Sequence, residues 1–189
     1  MKETKNLIIR TAKKLFAKNG LTDTTMDDVA KEAHIGKGTI YHYFESKEQV
    51  YCLIIEQDMA EIKIELEKIV EAENTPDKKL AAYIMGRMKL MSRFSGFYQM
   101  FKKDYIDYYG YIRKAYEKYQ DFETENIRKF INDGVENNTF QVEDKKFTAF
   151  VIVQIIKGLE YQLALEKPED VEKKVEMVLK MLMVGIVKK

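Results

Sequence analysis

Side chains that could bind nucleic acid concentrate in residues 37–43, within the segment TMDDVAKEAHIGKGTIYHYFESKE that runs from Thr25 to Glu48. A cation, a hydroxyl, an imidazole and two phenols are groups that hydrogen-bond to phosphate oxygens and to the edges of DNA bases. These groups belong to Lys37, Thr39, Tyr41, His42 and Tyr43. Taken alone, the two tyrosines are equally compatible with packing in the core of a small domain, so both interpretations stay open here.

Capping residues and apolar spacing predict two short helices that position these side chains. Thr25 and Asp28 have the spacing of a capping box, closed by an acid instead of the preferred Glu or Gln. Apolar residues then recur at three- and four-residue steps, as they do on one face of a helix: Met26, Val29, Ala30 and Ala33. The turn 34–36 is short, and a second helix is predicted over 37–44. This is the layout of a helix-turn-helix DNA reader.

A further helix is predicted to begin directly after the helix-turn-helix segment. Ser46 and Gln49 have capping-box spacing, which places Lys47 in the first turn of that helix. A cation is unfavourable for the helix dipole at this end, but it suits a phosphate.

The run TMDDVAKEAHIGKGTIYHYFESKEQVY resembles the DNA-binding domain of tetracycline-repressor-type (TetR family) transcriptional regulators. The preceding LIIRTAKKLFAKNGLTDTT resembles their first helix and the loop after it, so the match covers roughly residues 5 to 53. The resemblance implies that residues 37–43 named above lie on the helix that enters the DNA groove. It also implies that Thr25 and Lys47 bind phosphates.

Two positions depart from the usual family pattern. His34 stands in the turn where the family commonly has Gly, and Gly36 stands where it commonly has Ser or Thr. Histidine adopts positive φ more readily than most residues, so we expect the turn to form. Gly36 lacks the hydroxyl that could contact a phosphate, which removes that expected contact.

Composition favours an all-α protein, because the 189 residues include only 9 Gly and 2 Pro, and the periodic apolar segments predict about nine helices. Each proline precedes a periodic apolar segment, where proline opens helices. We predict a three-helix helix-turn-helix DNA-binding domain over 1–46 and a helical ligand-binding and dimerisation domain over 47–189. Further helices are expected over 76–93, 96–108, 110–137, 143–166 and 168–187.

Charge and residue content limit the kinds of functional site that the sequence can form. Net charge is +1, and residues 1–50 hold nine basic and seven acidic side chains, so DNA affinity must come from placed cations and helix N-termini. A metal cluster, a nucleophile beside a base and a phosphate loop are all lacking from the sequence pattern, so no enzyme activity, catalytic residue, metal or cofactor is predicted. Glu123 and Glu125 are interpreted as part of a solvated helix face.

The location in the cell is predicted from the lack of hydrophobic targeting segments. The N-terminal MKETKNLIIRTAKK lacks the apolar core of a signal peptide, and the longest apolar runs are far shorter than a membrane span. We therefore expect a cytoplasmic protein with no membrane partner.

Aromatic and methionine side chains are dense between residues 85 and 119, a composition that suits a cavity for a bulky, mostly apolar molecule. At helical spacing the same residues could instead fill a core. The resemblance supports the pocket, because TetR family proteins usually hold an inducer in their C-terminal domain. Candidate pocket residues are Met88, Met91, Phe97, Phe101, Tyr105, Tyr108, Tyr119, Phe150, Gln154 and Tyr161.

Two segments near the C-terminus predict a homodimer. Residues 147–165 are apolar nearly all round, so the helix must be covered on two sides. Residues 168–187 carry two apolar stripes, and we expect both helices to pair with their copies in a four-helix interface. Gln154 could then form an interfacial hydrogen bond instead of anchoring a ligand.

The sequence therefore predicts a ligand-responsive transcriptional regulator that binds a palindromic operator in double-stranded DNA as a dimer. Repression, relieved by a small and mostly apolar inducer, is the default that the resemblance implies. The alternative is a DNA-binding regulator whose C-terminal domain binds a protein partner and no small molecule.

Overall fold

A computed structural model of the chain describes residues 2–93, 119–163 and 168–187. The helices, in chain order, are α1 (Lys2–Asn19), α2 (Met26–Glu32), α3 (Lys37–Tyr43), α4 (Lys47–Glu71), α5 (Pro76–Arg93), α6 (described over 119–136), α7 (Lys145–Leu163) and α8 (Pro168–Ile186). The all-α prediction is confirmed, with eight helices in the described ranges. The helix expected over 96–108 and the beginning of the one expected over 110–137 lie outside them.

Local signals account for where several helices begin and end. Gly20, with a φ of 91°, follows α1, and its N–H donates to the Phe16 carbonyl at 2.9 Å. α7 begins two residues later than expected, because Asp144 caps it and accepts a hydrogen bond from the Phe147 N–H at 2.9 Å. α5 has the bounds that its proline start predicts, Pro76–Arg93.

The described residues form two compact units, and the division falls within α4, after residue 60. The predicted boundary lies earlier, between residues 46 and 47. The first turns of α4 belong to the first unit because Tyr51 packs edge-on against Phe16 of α1, with ring centroids 6.0 Å apart. The buried core of this unit includes Ile8, Phe16, Leu21, Val29, Ile40, Phe44, Val50 and Ile54.

The second unit contains the rest of α4 with α5 to α8, and α5 packs against both α7 and α8. Arg87 of α5 and Glu123 of α6 form a buried ion pair in this unit. The prediction of a solvated Glu123 is therefore wrong, whereas Glu125 is exposed and pairs with Arg128 at 2.7 Å. Within the described ranges, the structure has no helix that is long and apolar enough to span a membrane.

Candidate DNA-binding site

A capping box fixes the N-terminus of α2, as the sequence predicts. The Asp28 N–H donates to the Thr25 hydroxyl oxygen at 3.1 Å, and the Thr25 N–H donates to the Asp28 carboxylate at 2.9 Å. The Thr25 hydroxyl also donates to that carboxylate at 2.6 Å, and this hydrogen bond is the main reason why the pKa of Asp28 lies below its usual value. Thr25 is exposed, and in the free protein its hydroxyl serves the helix cap.

The turn between α2 and α3 depends on a left-handed residue. His34 has a φ of 53°, the conformation that this position requires and that glycine adopts at lower cost. The Ile35 N–H then donates to the Ala30 carbonyl at 3.0 Å, which closes the turn against α2. Gly36 caps α3 with a φ of −66°, a value open to other residues, and makes no side-chain capping bond. The turn thus forms with His34 in place of the usual glycine.

α3 separates its buried and exposed residues cleanly. Ile40 and Phe44 are buried and hold the helix against the rest of the first unit. The exposed side carries four of the five predicted base- and phosphate-contacting side chains, which belong to Lys37, Thr39, Tyr41 and His42. Tyr41 is 46% exposed, which argues against the interpretation that it packs in the core.

Tyr43 differs from the other candidates because it is half-buried. Its ring lies edge-on to that of His42, with centroids 5.3 Å apart. This contact makes Tyr43 a support for His42 as well as a candidate for DNA contact. The packing interpretation therefore applies in part to Tyr43, while Tyr41 remains on the exposed surface.

Lys37 at the start of α3 is held by an acid of α2. Its ammonium lies 2.6 Å from the Asp27 carboxylate, and both side chains are exposed. The hydrogen bond to Asp27 raises the pKa of Lys37 above its usual value. The ammonium also lies 5.9 Å from the centre of the Tyr41 ring, which brings a cation and a phenol together at one end of the exposed face.

Lys47 makes contacts that the sequence did not indicate. Its ammonium donates to the carbonyl oxygens of Leu21, Thr22 and Thr24 at 2.7, 3.0 and 3.1 Å. An ammonium has three N–H donors, so these carbonyls occupy all of them. In the free protein Lys47 therefore stabilises the loop that leads to the Thr25 cap, a role different from the predicted phosphate contact.

The first turn of α4 follows the predicted capping pattern with one change. The Gln49 N–H donates to the Ser46 hydroxyl at 3.2 Å. The Gln49 side chain accepts from the N–H of Glu45 at 2.9 Å, one residue before the expected partner. These bonds fix the chain between α3 and α4 and so the orientation of Lys47.

A family comparison identifies the segment that contains this site. Residues 8–51 match the family model described as bacterial regulatory proteins, tetR family. The match identifies residues 8–51 as a TetR-family DNA-binding segment. Regulators of this family bind DNA operators and act as dimers.

Comparisons with curated relatives agree with the family match. The HTH-type transcriptional regulator YhgD of Bacillus subtilis is 25% identical over 166 residues, which are 88% of this chain and 87% of that protein. The biofilm operon negative transcriptional regulator IcaR of Staphylococcus aureus is 43% identical over 47 residues, 25% of each chain. Both relatives are transcriptional regulators.

A solved structure shows that the fold is shared along nearly the whole chain. A transcriptional regulator from Cytophaga hutchinsonii superposes with a TM-score of 0.79 at 23% identity, over 97% of this chain and 98% of that one. The likeness therefore extends from the DNA-binding segment into the C-terminal helices.

The predicted pocket residues of the chain are only partly described. Met88 and Tyr119 are buried in the second unit, whereas Phe150 and Gln154 are exposed on α7. The structure thus does not bring these two pairs together inside one chain. Phe97, Phe101, Tyr105 and Tyr108, and the side chains of Met91 and Tyr161, lie outside the described residues.

The two C-terminal helices of the regulator expose large apolar side chains. On α7, Phe147 and Phe150 stack with ring centroids 6.3 Å apart and are 62% and 51% exposed. On α8, one apolar stripe is exposed and consists of Met177, Met181 and Val184, while the other includes the buried Val171, Val175 and Ile186. Contiguous apolar surface of this kind is typical of a protein interface.

Proposed function

We propose that the protein is a ligand-responsive transcriptional repressor that binds a palindromic DNA operator as a homodimer in the cytoplasm. The observation that carries the DNA-binding part is the exposed face of α3, where Lys37, Thr39, Tyr41 and His42 stand free of the core. An α-helix with such a face fits the major groove of B-DNA, where hydroxyl, imidazole and phenol groups reach base edges.

The Lys37–Asp27 pair supports a contact with the DNA backbone. Both side chains are exposed, and an exposed ion pair adds little to stability. A phosphate oxygen can therefore replace Asp27 as the partner of the ammonium at small cost. Phosphate contacts of this kind fix the register of the helix on the duplex, while Thr39, Tyr41 and His42 read base edges.

The apolar stripes of α7 and α8 support the homodimer. A second copy would cover both stripes at once, because a twofold axis places the same surface of each copy against the other. Two recognition helices about 34 Å apart would then enter successive major grooves on one side of the duplex. A palindromic operator follows from the same symmetry.

We propose that a ligand bound in the second unit controls operator binding. α4 contributes residues to both units, so a change in its position would reach the helix-turn-helix segment. A ligand that binds one conformation better weakens operator binding by the difference in affinity, typically about 1–3 kcal/mol. Repression as the default is supported by the negative regulator IcaR among the relatives.

A binding titration tests the DNA-binding part. Wild-type protein and the Tyr41→Ala variant are titrated against the DNA that flanks the protein's own gene, with fluorescence anisotropy as the readout. Lys18→Ala, which removes an exposed cation at the end of α1, is the matched surface control. Wild type and control should bind with equal affinity and Tyr41→Ala at least about tenfold more weakly, since a base-contacting side chain is worth about 1–3 kcal/mol. Equal affinity of all three proteins would contradict a contact between α3 and the DNA.

A separate experiment decides between a small molecule and a protein partner. The purified protein is examined by native mass spectrometry and then denatured, so that any released small molecule is detected by its mass. A released apolar compound that also weakens operator binding supports ligand control. A protein free of small molecules that gains no thermal stability from a panel of apolar compounds would favour the protein partner instead.

A further inference from the structure

Gly38 is the second residue of α3, and the packing of the protein does not require a glycine there. A methyl group built on its Cα would meet no heavy atom within 4 Å. Gly134 shows the contrast, since a methyl group there would lie 2.0 Å from Cδ2 of Phe140. At Gly38 the chain thus leaves open space where alanine would fit.

A glycine at this position also weakens the helix. Glycine is less favourable than alanine inside a helix because it loses more backbone freedom on folding. α3 has only 7 residues, so one poor helix former matters more here than in a long helix. Gly38 has no positive φ, the other reason for which a chain commonly needs glycine. Neither packing nor backbone conformation accounts for it.

The position of Gly38 on the helix suggests a different reason. Residues three and four positions apart lie on the same side of a helix, so Gly38 stands one turn before Tyr41 and His42. Lys37 and Thr39 are exposed on its two flanks. Gly38 therefore lies in the middle of the exposed face of α3.

We propose that Gly38 is the point of closest approach between α3 and the DNA, where the bare helix backbone makes van der Waals contact with base edges of the major groove. A side chain here would hold the helix away from the groove floor and lengthen the contacts of Tyr41 and His42. The inference rests on the proposed DNA-binding function and adds a positioning residue to it. It explains why the helix keeps a residue that lowers its own stability.

The test uses Gly38→Ala and Gly38→Ser in the full-length protein. The DNA is a duplex that the wild-type protein selects from a random library, and binding is measured by anisotropy at fixed salt. Lys78→Ala is the control, because Lys78 is exposed on α5, outside both α3 and the proposed dimer face. Thermal denaturation and native mass spectrometry are recorded for each protein.

The inference predicts opposite effects on folding and binding. Gly38→Ala should have an unchanged or higher Tm and the same oligomeric state, yet bind the selected duplex at least about tenfold more weakly. Gly38→Ser, whose side chain is slightly larger, should bind no better than Gly38→Ala. If either variant keeps its Tm and binds as tightly as wild type, the inference is overturned while the proposed function stands. If wild-type protein selects no duplex, both are overturned.

Discussion

Lys37 and Asp27 set the charge at one end of the candidate DNA-binding face. Their side chains lie 2.6 Å apart and are both exposed. In a complex, the Asp27 carboxylate would compete with phosphates for the Lys37 ammonium and would repel the DNA backbone itself. Asp27 therefore lowers operator affinity in this account.

Replacing Asp27 with asparagine should strengthen operator binding. We expect Asp27→Asn to bind roughly two- to tenfold more tightly than wild type at low salt, with a smaller gain as salt rises and screens the charge. Glu32→Gln removes an exposed acid from the other end of α2 and is the control for a general charge effect. An equal gain from both substitutions, or none from Asp27→Asn, would contradict the local role.

Lys47 should contribute to folding as well as to binding. Lys47→Met keeps most of the side-chain length but loses the three bonds to the loop carbonyls, so we expect a loss of about 2 kcal/mol in the free energy of unfolding. Urea denaturation measures this loss. Lys14→Met, at an exposed position on α1, provides the control. Unchanged stability with weaker DNA binding would instead restore the role predicted from sequence.

The difference between Lys37 and Lys47 shows what sequence can indicate at the residue scale. The exposure of Lys37 follows from the periodicity of one short helix, which is local. The contacts of Lys47 reach residues 21–24, which lie far away in the chain and meet it only after α1 and α4 pack. Residue type and helix position could not reveal those partners.

At the scale of elements, the turn between α2 and α3 combines a left-handed backbone with a non-glycine residue. His34 holds a φ of 53°, where the Cβ of any residue approaches the following carbonyl. The family usually has glycine at this place, which carries no such cost. The turn is thus correct in shape but less stable than it could be.

His34 substitutions should therefore change stability in opposite directions. His34→Gly should raise the free energy of unfolding by about 0.5–1 kcal/mol, since the relief of strain exceeds the added freedom of the unfolded chain. His34→Val should lower it by more than that, because a β-branched residue is poorly accommodated at positive φ. Chemical denaturation of both variants gives the comparison. Destabilisation by glycine would show that the His34 side chain contributes contacts that outweigh its backbone cost.

Helix positions were predictable from sequence because capping residues and apolar spacing are local. α5 and α8 begin at the two prolines, and the α2 capping box forms as its spacing indicates. Glu123 shows where such reasoning fails. It is buried because Arg87, 36 positions away, pairs with it. The spacing of apolar residues along a helix does not indicate such a partner.

At the scale of the whole molecule, the exposed stripes of α7 and α8 are, within the described ranges, the apolar surface that a second copy could cover. Met181 is 75% exposed and lies one turn from Met177, which is 68% exposed. Side chains of this size stay in water only at a cost, which a second copy of the chain would remove. Sequence periodicity correctly separated this stripe from the buried one, but it could not show the partner.

A charge placed in the α8 stripe should separate the dimer. Met181→Glu should be monomeric in native mass spectrometry at micromolar concentration, because burying an unpaired carboxylate in the interface is costly. Its operator affinity should fall by at least about tenfold, since one recognition helix contacts only half of the site. Asn137→Glu, at an exposed position in the turn after α6, is the control. A dimeric Met181→Glu with normal affinity would place the interface elsewhere.

Hydroxyl-radical footprinting can show whether a dimer contacts DNA through the exposed face of α3. The DNA is the duplex that the wild-type protein selects, and Tyr41→Ala is the paired variant. We expect two protected half-sites related by twofold symmetry, about 34 Å apart centre to centre, and loss of both in the variant. A single protected site, no protection, or the same footprint with Tyr41→Ala would contradict it.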